Sequence, residues 1–367
     1  MKLQLNKSIL ILAILAFTSC NTDKDDYETI PSSIELENRL IELYGSTDAL
    51  KLPESTDFIN IPNDPNNLIT QEKVNLGKLL YHETGLSTNS VRENGRGTYS
   101  CASCHHVAAG FQSGMKQAIG EGGIGFGIAG EGRIASLDYL SEELDVQPIR
   151  TPSVLNVAYQ EVMLWNGQFG ATGSNIGTES SWDVGTPKET NLLGFQGVET
   201  QAIAGLSVHR MECDPNYLGP LGYAELFDEA FPDVPMEDRY TMVNAGLAIA
   251  AYERTLLPNE APFQKWLKGE ANAMSKKEYR GALLFYNKAQ CYQCHSGPGM
   301  NGMEFYALGM KDLEGPDVHN NVDDATKRGR GGFTGNSDDN YKFKTPQLYN
   351  LKDVGFYGHC ASFTSIR

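Results

Sequence analysis

Apolar residues recur at helical spacing in two stretches of the chain, and a capping motif marks a third helix. Residues 236–257 are rich in alanine and other apolar residues at this spacing, which predicts one buried helix of about six turns. Ser275 and Glu278 form a capping-box pattern that predicts a helix through Tyr286. A further helix is predicted from a Thr70 cap to about residue 81, because apolar residues recur there three and four positions apart: Val74, Leu76, Leu79 and Leu80.

Between these stretches the pattern predicts irregular structure. Glycine stands at every second or third position of residues 120–132. A phosphate-binding loop is one interpretation, but no strand precedes the stretch and no G-K-[ST] closes it, so a flexible loop is favoured. Residues 170–185 and 309–340 lack periodicity and are predicted to be loops. Because almost no segment alternates as a half-buried strand does, the predicted fold class is mainly α with long irregular loops.

Two copies of a C-x-x-C-H motif carry the candidate chemistry. The first is formed by Cys101, Cys104 and His105, and the second by Cys291, Cys294 and His295. This spacing lets two thiols bond covalently to one haem while the histidine coordinates its iron. A zinc ribbon would need its second cysteine pair roughly 15–20 residues on, and a dithiol redox pair requires no histidine. The sequence therefore predicts two covalently bound haem c groups, with His105 and His295 as metal ligands.

The length of the chain indicates the number of domains, and its charge limits the class of partner. The 367 residues suit two domains of about 150 residues each. We predict an N-terminal cytochrome c-like domain over residues 34–235 and a C-terminal one over residues 236–367, each with one haem. The net charge of −16 argues against a nucleic-acid partner, which would require a basic face. The acidic surplus is interpreted as a solvated surface that aids solubility.

The N-terminus has the pattern of an export signal. Lys2 and Lys7 precede an apolar run over residues 9–17, which is far shorter than the roughly 20 residues of a membrane span. Cys20 follows small residues, so residues 1–20 are interpreted as a lipoprotein-type signal with a lipid anchor on Cys20; an ordinary cleaved signal is the alternative. Residues 21–33 are predicted to be a flexible tether. The protein is therefore expected in the periplasm or cell envelope.

Two cysteines are left over from the haem motifs and the lipid. Cys213 and Cys360 could pair in an oxidising compartment, but their separation cannot be obtained from the sequence, and both stay unassigned.

Several stretches outside the haem motifs resemble the bacterial di-haem cytochrome c peroxidases and the related MauG enzymes. The resemblance runs from about Leu68 to the last residue. It is carried by residues 76–81 and 85–87, 151–156, 164–167, 251–256, 343–348 with Asn350, and His359 with Ser362 and Phe363.

The resemblance implies a two-domain, mainly helical cytochrome fold. The haem bound by His105 would react with hydrogen peroxide, and the haem bound by His295 would receive electrons from a small cytochrome or cupredoxin. Trp165 would lie between the haems as an oxidisable bridge, although a core tryptophan at a domain interface fits the same position. A MauG-like oxidase acting on a side chain or small molecule, and a two-haem electron carrier, are the alternatives. A homodimer is a candidate assembly.

The chain departs from the family pattern on the reactive side of the first haem. Glu121 stands where classical members have a histidine that caps the iron, so this cap is expected to be missing, as in the MauG branch. Gln201 belongs to the family's E-x-Q-A segment, but Arg210 or Met211 occupies the place of the catalytic glutamate. Peroxide cleavage requires a base, and Glu212 or His209 could serve; either could equally be a salt-bridged or surface residue.

Two further departures concern the second haem and calcium. The family's distal ligand lies beyond Arg367, so either the sequence stops inside its final helix or Met300, Met303 or Met310 substitutes. Arg150 stands at the place of the family's calcium-binding asparagine and would repel the ion. Backbone groups near Val354 and Phe356 could remain as ligands, but calcium is expected to be weak or absent.

Overall fold

The structure is a computed structural model and describes residues 33–320 and 322–366. The predicted signal peptide with Cys20 and residues 21–32 of the predicted tether lie outside the described residues; Ser33 begins the first helix. Within the described ranges the helices are α1 Ser33–Tyr44, α2 Gln71–His82, α3 Gly197–Val208, α4 Pro215–Leu218, α5 Tyr223–Ala230, α6 Met236–Arg239, α7 Met242–Arg254, α8 Pro262–Leu267, α9 Lys276–Tyr286, α10 Asp324–Lys327 and α11 Arg330–Thr334. The strands are β1 Gly123–Ile124, β2 Ile134–Ala135, β3 Phe305–Tyr306 and β4 Phe343–Lys344.

The four strands form two separate two-stranded antiparallel sheets, β1 with β2 and β3 with β4. The prediction of a mainly α fold with long irregular loops is therefore confirmed. No helix of the described residues is both long enough and apolar enough to cross a bilayer.

The main core is built by α2, α3 and α7. Two glycines allow these helices to approach closely: a methyl group on Gly77 of α2 would overlap the backbone of Ala248 in α7. On Gly246 of α7 it would come within 2.7 Å of the Cα atom of Ile203 in α3. Leu76, Leu80, Ile203 and Leu206 pack in this core with Ala245, Leu247 and Ile249. Cys101 and Ala102 pack against its edge, so the core supports the first haem motif.

A second core lies beside the second motif. Leu36 and Leu40 of α1 pack with Tyr279 and Tyr286 of α9, and Arg39 donates to the carbonyl of Tyr286 at 2.9 Å. Tyr292, inside the second motif, packs against this cluster. Thus α1, from the predicted N-terminal domain, packs beside the second motif, whereas α7, from the predicted C-terminal domain, packs beside the first. The division at residue 235 stays a prediction.

Two helix starts predicted from capping residues are confirmed. The Thr70 hydroxyl accepts from the amide of Lys73 at 3.2 Å and begins α2. The Ser275 hydroxyl accepts from the amide of Glu278 at 3.3 Å, and the Glu278 carboxylate accepts from the amide of Ser275 at 2.6 Å. This reciprocal pair begins α9, which ends at Tyr286 as predicted.

Other predicted boundaries are wrong. The single helix predicted for residues 236–257 is divided into α6 and α7, because Thr241 has an extended backbone and caps α7 by accepting from the amide of Asn244. The predicted loop over residues 309–340 contains α10, which Asp323 caps, and α11. Helices of four and five residues are too short to show a hydrophobic period. Residues 120–132 are mostly loop but include β1.

Candidate active site

The two C-x-x-C-H motifs have the same backbone geometry. Cys101–Ser103 and Cys291–Gln293 each form a short 3-10 turn. In the first motif the amides of Cys104 and His105 both donate to the carbonyl of Cys101, at 3.1 Å each. In the second, the amides of Cys294 and His295 donate to the carbonyl of Cys291 at 3.2 and 2.9 Å. The predicted attachment residues are thus brought together at both motifs.

Each motif histidine is oriented by a backbone carbonyl. His105 Nδ1 lies 3.0 Å from the carbonyl oxygen of Phe111, and His295 Nδ1 lies 2.9 Å from that of Pro346. A carbonyl accepts the proton of Nδ1, so the lone pair of Nε2 is free to coordinate a metal. Burial lowers the pKa of both imidazoles, that of His105 to about 4, so that each is neutral near pH 7. A neutral imidazole with a fixed ring is what an axial ligand of haem requires.

Unpaired polar atoms beside the first motif also fit a bound haem. Tyr81 Oη and Glu253 Oε2 are buried and have no hydrogen-bond partner among the described residues. Glu253 lines a cavity together with Cys101, Cys104 and His105. Buried polar atoms usually have partners, so atoms left unpaired beside a ligand motif indicate a missing group. Burial and the neighbouring Glu199 raise the pKa of Glu253 to about 8, which makes it a hydrogen-bond donor near neutral pH.

Trp165 lies between the two motifs. One cavity of about 210 Å³ is lined by Cys104 and His105, and another of about 580 Å³ by Cys291, Cys294 and His295. Trp165 lines both cavities. Its indole Nε1 donates to the carbonyl of Arg150 at 2.9 Å, and its ring meets that of His359 edge to face with centroids 6.3 Å apart.

His209 and Gln201 both line the first cavity. His209 stands at the end of α3, and its Nδ1 lies 2.9 Å from a carboxylate oxygen of Asp145. Asp145 lies in the same cavity wall and is almost fully buried. The sequence did not indicate Asp145, because a carboxylate in an irregular segment 64 positions away carries no spacing that links it to His209.

Glu212, the other candidate base, is not near this cavity. Its side chain is exposed, and a carboxylate oxygen accepts from the Thr88 hydroxyl at 3.3 Å. It does not line the cavities that contain Cys104 and His105. The structure therefore brings His209 and Gln201 to the first motif and leaves Glu212 outside.

Comparisons with known proteins agree with the motifs. A family model for di-haem cytochrome c peroxidases matches residues 71–272, more than half of the chain. The chain belongs to this family. It is 30% identical over 310 residues to the methylamine utilization protein MauG of Methylorubrum extorquens, which covers 84% of this chain and 70% of that protein. It is 27% identical to the cytochrome c551 peroxidase of Nitrosomonas europaea, with 82% and 73% covered.

A solved structure supports the fold. A MauG-like protein associated with microbial copper homeostasis has a TM-score of 0.53 and 22% identity, and the match covers 86% of this chain and 79% of that one. Membership of the di-haem peroxidase family makes this protein an oxidoreductase with two c-type haems.

Two residues that differ from the di-haem peroxidase pattern, Glu121 and Arg210, contact each other. Glu121, which the sequence predicts at the place of the capping histidine, is fully buried and accepts from Arg210 Nη1 at 2.6 Å. Arg210 is one of the two residues, with Met211, predicted at the place of the family's glutamate. Glu121 also accepts from the Tyr139 hydroxyl at 2.9 Å and from the amide of Arg92 at 3.1 Å. With three donors bound, this carboxylate is held away from the role of an iron ligand.

Arg150, predicted at the place of the family's calcium-binding asparagine, binds several carbonyl groups. The guanidinium of Arg150, buried in the structure, donates to the carbonyls of Ser113, Met115 and Val354 at 2.9 Å each. It also donates to Gln112 Oε1 at 2.9 Å. Carbonyl oxygens are the donors that calcium prefers, and here a permanent cation binds them. Val354, the predicted backbone ligand, is therefore already paired.

The second cavity has a different lining. Of the three methionines considered as distal ligands, Met310 lines the cavity with His295, whereas Met300 packs among apolar residues and Met303 is not part of this lining. Lys344 also lines it; burial lowers the pKa of this lysine to about 7, and its ammonium donates to the carbonyl of Val162 at 2.8 Å.

Cys360 is next to His359, beside this cavity. Its thiol, the His359 ring and the Asp312 carboxylate lie within 4.8 Å of one another. Cys360 and Cys213 are both free in the structure.

Proposed function

We propose that the protein is an exported di-haem peroxidase that reduces hydrogen peroxide to water beside His105 and takes in electrons beside His295. The reaction consumes two electrons and two protons for each peroxide and produces two waters. When bound, the haems supply the redox chemistry, namely iron that reacts with peroxide and passes single electrons. The observation that carries the proposal is the position of Trp165, which lines both motif cavities.

Different residues of the chain would bind the haems and carry electrons between them. His105 and His295 would hold the two haem irons through neutral imidazoles that backbone carbonyls orient. Trp165 offers a polarisable ring between the two sites, as an electron path would require. Glu121 is bound by Arg210 and Tyr139 and does not line the cavities that contain Cys104 and His105. In the proposal Glu121 therefore does not cap the first site, and peroxide binds there without a prior change of ligand.

The test uses the holoprotein. Two covalent haems per chain are expected by the pyridine haemochromogen assay, and the resting ferric spectrum should contain one high-spin and one low-spin component. Peroxide should be consumed when a reduced small cytochrome or cupredoxin is supplied, two donor equivalents per peroxide. Fewer than two covalent haems, or a first iron that a side chain saturates permanently, would overturn the proposal.

A MauG-like oxidase is the second candidate, favoured by the buried Glu121–Arg210 pair that stands where the cap would be. In that case peroxide would change the haem spectrum of the resting protein, but reduced donor proteins would not be turned over. A two-haem electron carrier would show neither change.

The remaining assignments extend the proposal. The haems would lie one in each of the segments 34–235 and 236–367, and Cys20 would carry a lipid that holds the protein at the cell envelope. A homodimer is the proposed assembly to test by light scattering. Calcium, if bound at all, would be weak because Arg150 occupies the carbonyls available to it.

A further inference from the structure

The first cavity contains a histidine and a carboxylate that together have the geometry of an acid–base pair. His209 Nδ1 lies 3.0 and 2.9 Å from the two carboxylate oxygens of Asp145. In the neutral imidazole Asp145 accepts the proton of Nδ1 and the lone pair is on Nε2, which lies 3.5 Å from the side-chain nitrogen of Gln147. Both residues line the cavity with Cys104 and His105. The cavity beside the first motif therefore contains an oriented base.

We propose that His209, oriented by Asp145, is the catalytic acid–base group of this protein, in the role for which other members use a glutamate. The inference rests on the proposed peroxidase function and names the residue that moves its proton. In this role His209 Nε2 would accept a proton from bound peroxide and return it to the oxygen that leaves as water. The haem, when bound, would supply the redox chemistry. The overall reaction takes two electrons from the donor and two protons from solvent and converts one peroxide into two waters.

Both members of the pair are held in place by other bonds. Asp145 donates its amide to the carbonyl of Glu121 at 3.0 Å and accepts from the amide of Gly120 at 2.8 Å. The carbonyl of His209 accepts from the Tyr99 hydroxyl at 2.9 Å. Glu121 itself is bound by Arg210, so the buried ion pair also supports the segment that carries Asp145. A base fixed in this way needs little reorganisation when the proton moves, which lowers the activation free energy.

The charge of Asp145 favours the protonated form of His209 by more than burial opposes it. Burial lowers the pKa of His209, but the charge of Asp145 and its hydrogen bond raise it by more, so the net shift is upward from 6.5. Arg210, next in the chain, opposes the rise. The titratable and charged groups that interact with the pair are Arg210, Arg133, the Tyr99 hydroxyl, and Cys104 and His105 of the first motif. An acid–base catalyst works best with a pKa near the operating pH.

The main test compares His209→Gln with the same substitution at His319, a histidine outside the linings of the two motif cavities. We expect the kcat/KM for peroxide to fall by about 10²–10⁴-fold in H209Q, the usual range for a lost acid–base group, and to stay unchanged in H319Q. Haem content and the unfolding midpoint are measured on both, so that a folding defect is recognised.

A second readout does not depend on turnover. Hydrogen cyanide must lose its proton when it binds ferric iron, so a base in the cavity accelerates its association. The cyanide association rate should therefore fall in H209Q and remain unchanged in H319Q. A fall in peroxide turnover without a fall in cyanide association would assign His209 a structural role and overturn the proposal.

Asp145→Asn tests the positioning role. The base must be neutral to accept a proton, so the activity of the natural protein falls as pH drops through the pKa of His209. Without the carboxylate the burial effect dominates, the pKa decreases, and the acid limb of the pH profile should move to lower pH. The rate should also fall by at least about tenfold, because the asparagine amide can stabilise the wrong tautomer. An unmoved acid limb would contradict the role of Asp145.

The outcomes separate the two proposals. If the natural holoprotein does not consume peroxide, the proposed function fails. If it does, but Glu212→Gln lowers the rate as much as H209Q or more, the function stands and the assignment of His209 is wrong.

Discussion

The two haem motifs are alike on the histidine side and different on the opposite side. Both place a carbonyl within 3.0 Å of Nδ1 and fold the cysteines into the same turn. In the cavity that contains His105 the lining includes the paired side chains of Asp145 and His209. The cavity that contains His295 has no such pair in its described lining; it has aromatic and apolar residues, including Tyr306, Leu308, Met310, Tyr341 and Phe343, together with the charged side chains of Asp312, Lys327 and Lys344.

This difference shows where the functional distinction between the two sites arises. A pentapeptide fixes its own turn and ligand by local hydrogen bonds, so two copies give two similar attachment sites. The opposite wall is assembled from distant segments: Asp145 and His209 come from either side of α3, far from Cys101 in the chain. A histidine paired with a carboxylate suits proton transfer, whereas a lining rich in aromatic side chains suits a site that only exchanges electrons.

Substitution of His105 and of His295 should have the largest effects on peroxide turnover, and the two effects should differ from each other. His105→Ala should abolish peroxide consumption, because the iron of the reactive site loses its axial ligand. His295→Ala should abolish donor-driven turnover but keep a single reaction of peroxide with the chemically reduced protein. Stopped-flow spectra with stoichiometric peroxide distinguish these cases, and the haemochromogen assay confirms that the cysteines still hold both haems. Identical behaviour of the two variants would contradict the division of roles.

Replacement of the ion pair between Glu121 and Arg210 should give the first haem a histidine ligand like that of the classical peroxidases. In the double variant Glu121→His with Arg210→Glu, an imidazole becomes available on the open side and the family pattern is restored. We expect the first haem to become low-spin in the ferric protein and to react with peroxide only after reduction. The matched control, Glu121→Gln with Arg210→Met, removes both charges without adding a ligand and should stay high-spin. A high-spin spectrum in the first double variant would show that residue 121 is not directed at the iron.

Loss of one charge from this pair should destabilise the protein. Arg210→Met leaves Glu121 buried without its ion-pair partner, although the Tyr139 hydroxyl and the Arg92 amide still donate to it. Removal of one partner of a buried ion pair typically costs about 3–5 kcal/mol, and the partial exposure of Arg210 and the remaining donors put the expected loss at or below the lower end of that range. The double variant with Glu121→Gln should recover most of this loss, since neither charge remains. Urea unfolding of the three proteins measures both values. Additive losses would show that the two side chains do not stabilise each other.

Because Arg150 occupies the carbonyls that calcium would bind, added calcium should not stabilise the natural protein. Substitution of Arg150 should allow calcium to stabilise it. Arg150→Asn leaves three buried carbonyls without a donor and is expected to cost about 3–5 kcal/mol. Added calcium should raise the unfolding temperature of this variant but not that of the natural protein. Arg330→Asn is the matched control, because the buried Arg330 also donates to backbone carbonyls, those of Gly167 and Ser174, but at a different place. A calcium response in both variants would indicate non-specific binding.

The parts of the structure that were predictable from the sequence are those with local causes. Thr70 and Ser275 cap their helices through bonds three residues away, and the haem motifs close their turns within five residues. The break between α6 and α7 was missed because apolar residues continue across Thr241 and conceal its capping bond. Asp145 and the Glu121–Arg210 pair were missed as partners because contacts over 64 and 89 positions leave no mark in the spacing.

The helices that lead into the two motifs differ in how tightly they are packed, and this should give the smallest effects. Gly77 of α2 is buried against the backbone of α7, whereas Gly281 of α9 is exposed with nothing within 4 Å of an added methyl group. Gly77→Ala should therefore destabilise by about 1–3 kcal/mol through overpacking. Gly281→Ala should stabilise by up to about 1 kcal/mol, because alanine restricts the unfolded chain and favours the helix. Chemical denaturation measures both, and a destabilising Gly281→Ala would mean that α9 is covered by a contact beyond the described residues.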